Sequence, residues 1–135
     1  MRLNLQLPDK LMADIKARGG VTESIRECLS RYYYLLAQAR AGLSNREAFS
    51  AGELSLLTDV CNGTFWEPHT LGCLGANADD AEDDYYEKWG VKRADLLAKL
   101  AGLTPLEQAA VVDAIERFWK AVGTGMTVDP RHLLD

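Results

Sequence analysis

Polar and apolar side chains alternate along the first eight residues, with Arg2, Asn4 and Gln6 interleaved with Leu3, Leu5 and Leu7. Period two is the strand period, so the leucines are expected to share one buried face and the three polar side chains the other. Pro8 blocks further ladder pairing and suits the start of a helix, and Asp9 puts a negative charge where the helix dipole favours one. The period then changes. Leu11, Met12 and Ile15 recur at helical spacing, and Gly19 with Gly20 breaks the segment, because glycine enters the left-handed cap conformation without steric cost. Thr22 is expected to cap a second helix that carries Ile25, Leu29, Tyr32 and Leu36 on one stripe. Tyr33, Tyr34 and Leu35 extend bulky groups around that helix, which predicts cover on more than one side, from a partner copy and from the rest of the chain.

A turn is expected at Gly42-Leu43-Ser44-Asn45. Ser50-Ala51-Gly52-Glu53 reads as a capping box ahead of Leu54, Leu57 and Val60, with Asn62-Gly63 as the stop. Residues 64–77 carry Phe65, Trp66, Leu71 and Leu74 but are interrupted by Pro68, Gly72 and Gly75, and give no clear element. An acidic helix is expected over 79–89 and another over 91–101. Thr104-Pro105-Leu106-Glu107 then supplies a cap, a first-turn proline and a capping acid for a long last helix ending near Val122, with Ala110, Ile115, Phe118, Trp119 and Val122 as its apolar face. Residues 123–135 read as a loosely held tail.

A single strand leaves N–H and C=O groups unpaired along both edges, and no second strand is legible nearby, so its partner must come from elsewhere. In the order Leu3-Asn4-Leu5-Gln6-Leu7-Pro8-Asp9, then Leu11 and Ile15, then Gly20-Val21-Thr22-Glu23-Ser24-Ile25 and Leu29, the chain resembles the ribbon-helix-helix (MetJ/Arc-like) DNA-binding repressors. The resemblance covers about the first 42 residues. It implies that two chains pair their strands into one ribbon whose outward residues, Arg2, Asn4 and Gln6 here, read base edges in the major groove. It also implies a phosphate clamp at the start of the second helix, on Thr22, Glu23 and Ser24, a place where free N–H groups and the helix dipole favour an anion in any case. Leu3, Leu5, Leu7, Leu11, Ile15, Ile25 and Leu29 would form the dimer core. The expected fold class is therefore mostly α, with one short strand paired across a dimer, in residues 1–42. A helical extension over 43–122 and the tail would follow.

Charge changes the picture by its distribution. The net charge of −5 combines +3 over residues 1–42 with −8 over residues 43–135, so the basic part is the one with the DNA-binding pattern. Hydrophobic content of 47% suffices for a folded core. No apolar run approaches the roughly 20 residues of a membrane span and no signal segment is legible, which points to a cytoplasmic protein without a membrane partner. Three cysteines without a CxxC fit a reducing compartment. Cys61, Glu67, His69 and Cys73 lack paired metal-ligand spacing, and Asp79, Asp80, Glu82, Asp83, Asp84 and Glu87 lack the spacing of a calcium loop. The acidic cluster reads as a solvated face or as a surface for a basic partner. With no phosphate-cradling glycine loop either, neither an enzyme nor a cofactor is expected.

The function expected from these features is sequence-specific repression by a homodimer on double-stranded DNA, with dimers able to assemble in pairs on adjacent half-sites. Two alternatives share the N-terminal pattern or the acidity. One is an antitoxin that neutralises a toxin and represses its own operon. The other is an interaction or inhibitor protein whose acidic extension engages a nucleic-acid-binding target.

Overall fold

The computed structural model describes residues 6–60 and 87–135 of the chain. The described residues include α1 (Asp9–Ala17), α2 (Val21–Asn45), α3 (Ala51–Val60), α4 (Arg93–Gly102), α5 (Pro105–Gly123) and the short 3-10 helix Pro130–His132, and residues 87–89 are helical as well. No β-strand occurs among the described residues, so the fold is all-α, and the expected N-terminal strand is corrected. Gln6, Leu7 and Pro8 belong to no regular element. A strand exists only through ladder bonds to a neighbour, and every regular element described here is helical, with its backbone groups bonded within itself.

Two compact units divide the chain at Leu35 and Leu36, inside α2 rather than at Gly42. In the first, α1 opens with the Met12 N–H donated to the Pro8 carbonyl at 2.9 Å and closes through Arg18, whose N–H reaches the Ile15 carbonyl. Gly19, at φ +118, makes the turn. α2 begins one residue earlier than the expected Thr22 cap, because the Gly20 carbonyl takes the first helical bond, from Ser24 N–H at 2.9 Å. Among the described residues of this unit, Ile15 and Ser24 are buried.

The second unit has a large apolar core. α3 is buried around most of its circumference through Leu54, Leu56 and Leu57; α4 contributes Leu96 and Leu100, and α5 contributes Val111, Ala114 and Ile115. Leu43 and Phe49 join this core. The turn expected at Gly42 is therefore a stretch of α2, which runs on to Asn45. Complete burial of Leu43 is worth about 2 kcal/mol, more than the roughly 1 kcal/mol that glycine costs in a helix interior. α2 then ends in a Schellman turn, with Glu47 N–H on the Ser44 carbonyl and Ala48 N–H on the Leu43 carbonyl, both at 3.0 Å. The residue that turns left-handed there is Glu47, at φ +49. α5 ends in the same way, but with Gly125, at φ +84, in the left-handed position.

Both capping boxes form as the sequence implies. Ser50 N–H donates to Glu53 Oε2 at 2.8 Å while Glu53 N–H donates to Ser50 Oγ at 3.1 Å. Thr104 and Glu107 exchange the same two bonds at the head of α5. Glu53 is buried, and Lys99 of α4 meets its carboxylate at 2.7 and 2.9 Å, which compensates the charge. Gln108 Nε2 caps the Leu100 carbonyl at the end of α4, and Trp119 Nε1 donates to the Thr58 carbonyl at 3.1 Å, joining α5 to α3. The segment from Gly123 onward is docked, contrary to the expected loose tail: Leu133 and Leu134 lie in the core, and the 3-10 helix packs on α3. Val122, expected on the apolar face of α5, is exposed. No helix among the described residues is long and apolar enough to cross a membrane.

Candidate nucleic-acid interface

Of the residues expected to read bases, Arg2 and Asn4 lie outside the described residues, as do Leu3 and Leu5. Gln6 is exposed immediately ahead of α1, and Leu7 is half-buried. The remaining residues assigned to the dimer core separate into two groups. Ile15 is buried and Ile25 half-buried, whereas Leu11 is 45% and Leu29 50% exposed. Tyr32, Tyr33, Tyr34 and Leu35 continue the exposed apolar surface along α2, with Tyr34 the most open at 64%. These side chains are exposed rather than covered as expected, within the described residues of their own unit. Tyr32 and Tyr33 meet edge to face, with ring centroids 5.6 Å apart.

At the start of α2, Thr22 and Glu23 are exposed and Ser24 is buried. Because Ser24 N–H is committed to the Gly20 carbonyl, the helix offers outward the N–H groups of Val21, Thr22 and Glu23, the donors that precede its first internal bond. The Glu23 carboxylate is held by Arg26 at 3.1 Å and Arg31 lies 3.6 Å from Glu27, all four side chains well exposed. These intrahelical pairs offset much of the basic charge of α2. Lys10, Lys16 and Arg18 keep exposed charges on and after α1.

Several carboxylates of the second unit have displaced pKa values. The backbone N–H of Thr104, and then Arg46 at 2.5 Å, hold Glu107 below the usual carboxylate range. Arg131 holds Asp129 down at about 2, and His132 and Ser44 lower Asp135. Among the described residues no group of three His, Cys, Asp or Glu side chains could hold a metal ion. Cys61, Glu67, His69, Cys73 and the acidic residues 79–84 lie outside the described residues, while Glu87 is exposed.

Sequence reasoning missed two residues that the fold brings to one cavity of the second unit, Arg40 from α2 and Arg117 from α5. They are far apart in the chain and belong to no local motif, so only tertiary packing identifies them. The chain matches no protein-family model, and comparison with curated proteins and with solved structures finds no match.

Proposed function

We propose that the protein is a sequence-specific DNA-binding repressor that works as a homodimer, with its N-terminal unit providing both self-association and nucleic-acid contact. The observation that carries this reading is the exposed apolar surface of that unit: Leu11, Leu29, Tyr32, Tyr33, Tyr34 and Leu35 all open to solvent over a segment that buries little besides Ile15. A segment of this size cannot build a sufficient core from its own residues, and oligomerisation is the usual remedy. A second copy supplies the same side chains in mirror order about a two-fold axis, which suits a self-complementary interface.

DNA contact rests on the chemistry of the segment ahead of α1 and of the α2 start. Arg2, Asn4 and Gln6 are side-chain types that hydrogen-bond base edges, and the N–H groups of Val21, Thr22 and Glu23 suit a backbone phosphate. The surplus of +3 over residues 1–42 doubles in the dimer and gives the salt-dependent part of the affinity.

Two measurements on the full chain test the proposal. Sedimentation at micromolar concentration should show a dimer, and Leu29→Lys should shift it to monomer with its helical content retained. Selection from a random DNA pool should enrich one sequence with the wild type and lose that preference in the Asn4→Ala, Gln6→Ala variant, at about 1–3 kcal/mol for each lost base interaction. A wild-type monomer, or identical enrichment by the double variant, would refute the proposal.

A further inference from the structure

A cavity of about 210 Å³ lies between α2, α5 and the 3-10 helix of the second unit. Part of its wall is apolar, from Ala114, Phe118, Val128 and Leu133. Two carboxylates also line it, and both are already engaged. Asp129 accepts from Arg131 Nε and Nη2, the shorter contact 2.6 Å, and Asp135 accepts from Ser44 Oγ at 3.1 Å and lies 2.7 Å from His132 Nδ1. The guanidinium groups lining the cavity are not matched in this way. Arg117 makes no hydrogen bond or ion pair among the described residues. Arg40 has a side chain only 18% exposed, yet it meets Asp113 at 3.9 Å, beyond hydrogen-bond distance.

A guanidinium withdrawn from water needs acceptors in its own plane, and a planar carboxylate matches its fork of donors best. The apolar wall favours a ligand with a hydrophobic body. A cavity of about 150 Å³ holds a benzene ring, so the larger volume here takes a ring together with its carboxylate. We propose that this cavity is a binding site for a small organic carboxylate with a flat apolar body, its anionic end held by Arg40 and Arg117 and its body against Phe118 and Val128. Inorganic phosphate would leave the apolar wall unused. The proposal rests on the second unit alone and is independent of DNA binding.

Benzoate is the probe. Titration of the full chain, followed by calorimetry and by amide chemical shifts, should show saturable binding with shifts at Phe118, Val128 and His132. Neutral benzamide and inorganic phosphate should bind at least about tenfold more weakly, a difference of about 1.4 kcal/mol. Arg117→Gln, an exposed helix position that tolerates the change, should weaken benzoate by a similar factor, and Ala121→Leu should fill the cavity and abolish binding. Absence of saturable benzoate binding up to its solubility limit, equal binding of benzamide or phosphate, or unchanged affinity in Arg117→Gln overturns the proposal.

Discussion

A methyl group on Gly52 would collide with the backbone carbonyl of Trp89, although Gly52 sits inside α3, where alanine is the better helix former. Propensity alone favours alanine by about 1 kcal/mol. A collision with backbone cannot be relieved by rotating a side chain, so the packing penalty outweighs that gain. Gly52→Ala is expected to lower stability by about 1–3 kcal/mol, read as the urea midpoint, and an unchanged midpoint would contradict the close approach. Glu47 presents the opposite case. It occupies the left-handed position that Gly125 fills at the end of α5, a conformation that costs a side-chain-bearing residue about 1–2 kcal/mol. Part of that returns as unfolded-state entropy when glycine replaces it, so Glu47→Gly should stabilise by about 0.5–1 kcal/mol and raise the melting temperature by a few degrees. A fall in melting temperature would show that the Glu47 side chain contributes more than its backbone conformation costs.

At the scale of elements, the starts of α3 and α5 were easier to read than the start of α4, expected at 91 and found at Arg93, or the end of α2. Ser50 with Glu53, and Thr104 with Glu107, are short-range signals whose bonds form between neighbours, so the sequence contains them whole. The end of α2 depends on burial of Leu43 against α3, α4 and α5, which no local window contains. The docking of Leu133 and Leu134 was hidden for the same reason: an exposed-looking Gly-Thr-Gly stretch precedes them, and their partners lie far back in the chain. Among the candidate site residues, Gln6, Thr22 and Glu23 are exposed, which leaves them open to the expected contacts, but the burial of Ser24 and the placement of Arg40 and Arg117 along one cavity were not legible. The C-terminal elements also carry an acid response. Asp129, held at about 2 by Arg131, and Glu107 and Asp135, both lowered, have folded pKa values below their unfolded ones. Their contribution is therefore present above the ordinary carboxylate range and is lost as pH falls from about 4 towards about 2. Asp129→Asn should lower the melting temperature slightly at neutral pH and flatten its decline in acid. The effect is small because the pair is exposed and screened. An acid slope identical to wild type would remove Asp129 from the account.

At the scale of the whole molecule, the two units differ in how they treat their apolar side chains. Among the described residues, thirteen apolar side chains form the buried core of the second, while the first exposes apolar surface and buries Ile15 and Ser24. The proposed self-association rests on that imbalance, and the proposed DNA contact sits on the same unit. The proposed carboxylate site sits on the other. One helix is common to both, since α2 carries Leu29 and Tyr32 before the division at Leu35 and Leu36, and Arg40 and Leu43 after it.

That continuity limits how such a chain can be rearranged. Modular proteins exchange domains through linkers, where a change of length or composition disturbs neither side. Here the division falls within 25 residues of unbroken helix, so there is no neutral place to join a foreign segment. A graft ending at Gly42 would replace Leu36, a buried residue of the second unit, and a single residue inserted between Leu36 and Leu43 would shift their helical phase by about 100° within that unit. Any replacement for the N-terminal unit must therefore leave the helical turns from Leu36 to Leu43 intact, so its junction falls inside a helix and not in a loop.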